Sequence, residues 1–132
     1  MKLLLDTHVL LWSVSDPAQL APEARAQIQD PANVRMISAA SAWEIATKHA
    51  LGKLPLRESP EAFLRRASAD LCAEELPIAT RHALLTASLP NHHRDPFDRL
   101  LVAQAMLEGA VLVTADHVLK SYSAPLLWAG TR

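Results

Sequence analysis

Cysteine, glycine and aromatic residues are scarce in this chain of 132 residues, and neither sign of charge is in large excess. The single cysteine, Cys72, excludes an internal disulfide and a zinc site built on cysteine pairs. We expect it to pack as a small hydrophobic residue. A net charge of -1 removes the basic surplus that nucleic-acid-binding proteins usually carry. Any action on RNA or DNA would therefore depend on local charge or on a bound metal.

Long apolar runs are also absent. The run Leu3 to Leu5 imitates the start of a signal peptide, but Asp6 and His8 interrupt it. No other run approaches the ~18 residues of a membrane span, so we expect a soluble cytoplasmic protein without membrane contact. Half of the residues are hydrophobic, and the length is typical of one domain. These properties predict a single globular domain over residues 1–132.

Short apolar runs alternate with helical patterns along the chain. The apolar runs predict strands at 3–5, 34–37, 71–76, 111–113 and 126–128. The helical patterns predict helices at 7–14, 23–29, 39–51, 60–69, 80–88 and 96–108, and a short helix or turn at 115–121. Such alternation is typical of an α/β layer fold with a largely parallel sheet, whose strands are apolar throughout because both faces are covered.

Acidic residues stand close to the ends of the clearest strands. Asp6 ends the first strand, Glu44 lies on the helix after the second, and Asp116 follows the strand at 111–113. Asp98 lies in the first turn of the helix at 96–108. Because ligands bind at the carboxyl ends of parallel strands, we expect these four side chains to converge.

Four convergent carboxylates would repel one another unless a cation or protons intervened. Oxygen ligands without an accompanying cysteine or a histidine pair favour Mg²⁺ or Mn²⁺, which bridge to phosphate groups. The pattern therefore points to a phosphodiester substrate.

Each acid also has an ordinary structural explanation. Asp95 is explained as a helix N-cap, and the helix dipole alone would favour Asp98 in the first turn. Glu44 could complete a capping box that begins at Ser41, or could pair with Lys48 at i, i+4. The hypothesis of a metal site therefore depends on the joint arrangement of the acids.

Four motifs carry a resemblance to a known family. They are LLDTH at 4–8, SAASAWEI at 38–45, DPFDRLLVAQA at 95–105 and LVTAD at 112–116. In this order they resemble the motifs of PIN-domain ribonucleases, especially the VapC toxins of type II toxin-antitoxin modules. The resemblance implies a PIN-like three-layer α/β/α sandwich with a central, mainly parallel sheet, and a single PIN domain over residues 1–132.

The same resemblance implies an activity and partners. It implies a Mg²⁺- or Mn²⁺-dependent endoribonuclease that hydrolyses RNA, forms a homodimer and is neutralised by a cognate antitoxin. Motif by motif, the metal-binding and catalytic carboxylates are Asp6, Glu44, Asp98 and Asp116. Thr114 is a candidate polar supporter of that site, and Asp95 a candidate outer group.

Basic and aromatic residues near the motifs are weaker candidates. Arg94 and Arg99 stand on either side of the Asp95 turn and are the best candidates for contact with RNA phosphates. The three tryptophans could stack on bases, but their apolar neighbours favour packing in the core or in a dimer. The loop that contains His92 and His93 leaves a substrate or extra-metal role open.

Other functions stay open at this level. The chain could be a catalytically silent RNA-binding or scaffold module with the PIN fold, in which the acids merely cap helices. A DNA-directed nuclease could use related acids, since the sequence does not reveal whether a 2'-hydroxyl is recognised. A phosphatase or phospho-acceptor with Asp6 as nucleophile would favour a second acid two residues later, where this chain has His8.

Overall fold

The computed structural model describes residues 1–92 and 94–131. The strands of these residues are β1 Lys2–Leu5, β2 Val34–Ser38, β3 Glu74–Leu76, β4 Val111–Thr114 and β5 Leu126–Trp128. The α-helices are α1 Thr7–Ser15, α2 Pro22–Gln29, α3 Ala39–Ala50, α4 Pro60–Leu71, α5 Thr80–Thr86 and α6 Pro96–Glu108. Short 3-10 helices occupy Pro17–Gln19 and His117–Ser121.

The strands form one sheet with the order β3-β2-β1-β4-β5 within the described chain. All pairings are parallel, and Leu4 of β1 lies opposite Met36 on one side and Leu112 on the other. Helices cover both faces of this sheet, which confirms the predicted α/β/α sandwich. Across the described ranges, no helix is long and apolar enough to cross a bilayer.

The leucines of β1 alternate between two hydrophobic cores. Leu4 packs into the core that includes Leu101 of α6, whereas Leu3 and Leu5 pack into the core that includes Phe63 of α4. All three leucines of the strand are fully buried. The continuous apolar run at the start of the sequence is therefore explained by a central strand with helices on both sides.

The cap of α6 is confirmed, whereas the capping box predicted for α3 is wrong. Asp95 accepts hydrogen bonds from two backbone N–H groups in the first turn of α6. Helix α3 begins directly after β2 and is capped by Ser38. Ser41 is therefore the third residue of the helix and not its N-cap, so Ser41 and Glu44 cannot form a capping box.

Three further expectations are corrected by the structure. The strand predicted at 71–76 begins at Glu74, because α4 continues to Leu71. Cys72 is exposed rather than buried, and it caps the end of α4 in the left-handed region with φ of 48°. Trp43 is 54% exposed and is therefore not a core residue; its packing in a dimer stays a prediction.

A buried histidine joins α5 to the end of α6. His82 is buried, and its Nδ1 accepts a hydrogen bond of 2.9 Å from the backbone N–H of Ala79. Its Nε2 lies 3.2 Å from a carboxylate oxygen of Glu108, which also pairs with Arg81. The bonds from His82 and Arg81 lower the pKa of Glu108.

This contact predicts a pH-dependent stability. Because the pKa of Glu108 is lower in the folded chain than its ordinary value of 4.5, its ionised form stabilises the fold above about pH 4.5. That contribution is lost as the pH falls through the lower folded value. We expect Glu108→Gln to decrease the free energy of unfolding at neutral pH, and the difference from wild type to shrink in acid. Urea denaturation of both proteins from neutral pH to below pH 4.5 measures the difference in the free energy of unfolding. A difference that stays constant with pH would contradict the prediction.

Candidate active site

A cleft of about 390 Å³ opens where β1 and β4 end, between α3 and α6. Its lining residues are Asp6, Thr7, His8, Trp12, Glu44, Lys48, Asp95, Asp98, Ala115 and Asp116. The structure thus brings the four predicted carboxylates into one cavity and places Asp95 beside them. The parallel sheet accounts for this convergence, because neighbouring strands end at the same edge.

Asp6 lies at the junction of β1 and α1 and is only 5% exposed. One carboxylate oxygen accepts a hydrogen bond of 2.8 Å from the backbone N–H of Val9, and the other accepts one from the Thr114 hydroxyl. Burial raises the pKa of Asp6, and the nearby charge of Glu44 adds to this effect, although both hydrogen bonds oppose it. A cation in the cleft would favour the ionised form of this carboxylate.

Glu44 projects from α3 and is also 5% exposed. The Thr7 hydroxyl donates a hydrogen bond of 2.6 Å to Glu44 Oε1, and the Thr7 oxygen lies 3.1 Å from the Ser41 hydroxyl. Lys48 Nζ donates to Glu44 Oε2, which confirms the i, i+4 pair. Sequence reasoning missed Thr7 as the partner of the acid and Ser41 as the partner of Thr7. The available signal was their position, directly after Asp6 and one helical turn before Glu44.

Asp95 and Asp98 form the α6 side of the cleft. Asp95 Oδ1 accepts hydrogen bonds of 2.9 Å from the Phe97 N–H and 3.4 Å from the Asp98 N–H. This geometry confirms its capping role and fixes the first turn that carries Asp98. The bond to Glu44 raises the pKa of Lys48, and the charges of Asp95 and Asp98 raise it further. The Lys48 ammonium is therefore within electrostatic reach of both walls of the cleft.

Thr114 connects the two acids at the strand ends. It is fully buried, its hydroxyl donates to Asp6, and its oxygen accepts a hydrogen bond of 3.0 Å from the Asp116 N–H. Asp116 Oδ1 in turn accepts a hydrogen bond of 3.0 Å from the Val118 N–H. The side chain that the motif resemblance marked as a polar supporter is thus in contact with both Asp6 and the segment that carries Asp116.

The donor chemistry of the cleft suits a hard divalent ion. Carboxylates from four separate segments face one cavity, and burial together with the charge of Glu44 raises the pKa of Asp6. Within residues 1–92 and 94–131, no three acidic, histidine or cysteine side chains are grouped closely enough to hold one metal ion together. Mg²⁺ does not need three protein ligands, because it keeps several waters and is usually held by one or two carboxylates.

The two predicted RNA-contact arginines are not among the described residues that line this cleft. Arg94 lines a neighbouring cavity of about 360 Å³ together with Trp43. The Arg99 guanidinium donates to backbone carbonyls in the segment 86–90 and to Tyr122 Oη, and so holds the loop before α6. RNA contact by either arginine stays a prediction.

Aromatic and histidine side chains form ring contacts both inside and outside the cleft lining. The ring of His8 lies 5.4 Å from that of Trp12, and both residues line the cleft. Trp43 meets Phe97 edge to face at 4.6 Å between ring centroids. The ring of His92 lies 5.1 Å from the Tyr122 ring. His93, the other histidine of that loop, is outside the described residues.

Comparison with known proteins agrees with this geometry. "Ribonuclease VapC22" of Mycobacterium tuberculosis is 29% identical over 92% of this chain and 92% of its own length. "Ribonuclease VapC16" of the same organism is 39% identical over 71 residues, half of each chain. The crystal structure of VapBC2 from Rickettsia felis, bound to a DNA fragment from its promoter, matches 98% of this chain and 99% of the matched chain. Its TM-score is 0.71 at 16% identity, so this match concerns the fold alone.

The motif resemblance is confirmed by a family model. The PIN domain model matches residues 3–125, a range that contains most of β1, all of β2 to β4, both acidic strand ends and the whole of α6. The chain belongs to the PIN domain family.

Proposed function

We propose that this protein is a metal-dependent endoribonuclease toxin of a type II toxin-antitoxin module, which hydrolyses RNA phosphodiester bonds. The observation that carries this proposal is the meeting of Asp6, Glu44, Asp98 and Asp116 in one cleft. The similarity to two relatives named as VapC ribonucleases supports it.

In this proposal Asp6, Asp98 and Asp116 orient one or two Mg²⁺ or Mn²⁺ ions, and Glu44 helps to hold the metal or its bound water. Thr114 and Asp95 support these acids. The ion would polarise the phosphodiester and activate water when bound. The chain's own task is to position the acids before the substrate arrives. Thr114 and the Val9 N–H orient Asp6, Thr7 orients Glu44, and the Asp95 cap sets the turn that carries Asp98.

The proposed partners follow from the same family membership. RNA is the substrate, and a cognate antitoxin neutralises the enzyme, in line with the fold similarity to the Rickettsia felis VapBC2 complex. We further propose one PIN domain over residues 1–132, a homodimer and a cytoplasmic location. Apolar side chains on α3, α5 and α6 are available for a partner, since Trp43, Leu84 and Leu107 are 54%, 69% and 41% exposed.

The proposal is tested with purified protein and total RNA. We expect new RNA ends in Mg²⁺ and none after EDTA, because the acids act through the ion. Mapping of the ends gives the cleavage site, and a DNA strand of the same sequence separates a ribonuclease from a DNA-directed nuclease. Thermal denaturation with and without Mn²⁺ provides a second measurement. Absence of both cleavage and Mn²⁺-dependent stabilisation would favour the silent module with the PIN fold.

A further inference from the structure

Lys48 is a cation inside an acidic cleft. Among the described residues that line the cavity, it is the only lysine or arginine. Its Nζ donates to Glu44 Oε2, while the Lys48 side chain is 42% exposed and that of Glu44 is 6% exposed. The ammonium therefore bridges a buried carboxylate and the open part of the cleft.

This pair differs from an ordinary surface pair at i, i+4. Exposed pairs of that kind contribute little, because water already solvates both charges. A buried carboxylate without a counter-charge is costly, so Glu44 needs a cation beside it. In the protein without metal, Lys48 provides that cation. A divalent ion that binds Glu44 would provide the same neutralisation, and both cations would compete for one carboxylate.

The lysine side chain is suited to such an exchange. Four methylene groups connect Nζ to the backbone, so the ammonium can leave Glu44 without movement of α3. The ammonium also lies within electrostatic reach of Asp95 and Asp98 across the cleft. An RNA phosphate that enters the cleft would provide a new anionic partner for the displaced ammonium.

We propose that Lys48 is an exchangeable counter-ion, which neutralises Glu44 in the metal-free cleft and binds a substrate phosphate once a divalent ion occupies the carboxylates. This inference rests on the proposed function. It predicts opposite effects of one substitution: loss of the ammonium strengthens metal binding and weakens RNA binding. Substitution of a residue that only supports the fold would weaken both metal binding and RNA binding.

The metal half is tested without RNA. We expect Lys48→Gln to lower the dissociation constant for Mn²⁺, measured by isothermal titration calorimetry, by about three- to tenfold, the equivalent of one partly buried ion pair. Lys53→Gln is the matched control, because it removes the same charge just after α3 from a residue outside the cleft lining. Its Mn²⁺ affinity should stay within about twofold of wild type.

The RNA half uses an oligonucleotide that spans the mapped cleavage site, at saturating Mn²⁺. We expect Lys48→Gln to raise KM by roughly tenfold, the effect of one lost charge-assisted contact, with a smaller change in kcat. Lys48→Arg keeps a cation and should restore most of the loss. Circular dichroism verifies that each variant is folded.

Two results would overturn the inference while the proposed function stands. Both results require a wild-type protein that binds Mn²⁺ and cleaves RNA. The first is a Lys48→Gln variant whose Mn²⁺ affinity is equal to or weaker than that of Lys53→Gln. The second is a Lys48→Gln variant whose KM is unchanged. If wild type neither binds Mn²⁺ nor cleaves RNA in Mg²⁺, the proposed function itself fails, and the inference with it.

Discussion

Replacement of Asp6 by asparagine is expected to abolish RNA cleavage and to stabilise the metal-free protein at the same time. Cleavage should fall by at least roughly 100-fold, since even outer partners of metal ligands cost 10- to 100-fold when removed. Asparagine caps a helix about as well as aspartate, so the start of α1 should survive. The stability gain follows from the raised pKa of Asp6, because its ionised form is disfavoured by burial.

The sign of this stability change depends on pH. The pKa of folded Asp6 lies above its ordinary value of 3.8, so the contribution of Asp6 to stability is complete below that value and is lost as pH rises through the folded pKa. At neutral pH the ionised carboxylate therefore destabilises the fold. We expect the melting temperature of Asp6→Asn in EDTA to exceed that of wild type at neutral pH, and the difference to vanish near pH 4.

The control for this experiment is Asp16→Asn, which changes an exposed acid at the other end of α1. It should keep both the cleavage rate and the melting temperature of wild type. A purified Asp6→Asn variant that cleaves RNA at the wild-type rate in Mg²⁺ would refute the metal mechanism. A lower melting temperature at neutral pH would instead show that the contacts of Asp6 with Thr114 and Val9 outweigh its burial.

Truncation of Leu101 to alanine is expected to cause the largest loss of stability among the substitutions proposed for this protein. Leu101 is fully buried in α6 and packs in the same core as Leu4 of β1 and Leu112 of β4. Removal of a buried leucine side chain leaves a cavity and costs about 2 to 5 kcal/mol. Because Asp98 lies one turn earlier on the same helix, a looser α6 should also lower the cleavage rate.

Leu107→Ala provides the matched control in the same helix. Leu107 is 41% exposed, so the same truncation removes little buried surface, and a change within ~0.5 kcal/mol is expected. Urea denaturation of both variants measures the difference. Equal losses for the two leucines would contradict the packing of α6 against β1 and β4.

The fold was predictable because local patterns and tertiary packing agree. The apolar run of β1 indicates a strand covered on both faces, and helices are found on both sides of it. The convergence of Asp6 with Asp116 was predictable for a related reason. Both acids follow parallel strands, and β1 and β4 are neighbours in the sheet.

The parts that the sequence could not predict depend on how helices are rotated against each other. The spacing of Glu44 and Lys48 permits an ion pair on any helix, but it does not reveal that the pair faces an acidic cleft. The bond from Thr7 to Glu44 joins α1 to α3 across 37 positions. Trp43 precedes Glu44 and was expected in the core or a dimer, yet the turn of α3 that buries Glu44 leaves the indole exposed.

The hydroxyl bridge between Thr114 and Asp6 has a consequence for protein synthesis. The two residues are 108 positions apart, so Asp6 emerges from the ribosome long before Thr114. Strand β4 must also dock beside β1 before Asp116 can reach the cleft. A nascent or prematurely terminated polypeptide that ends before β4 therefore lacks part of the proposed catalytic site. If the proposed function holds, a cell that translates this message would be exposed to nuclease activity only from nearly full-length chains.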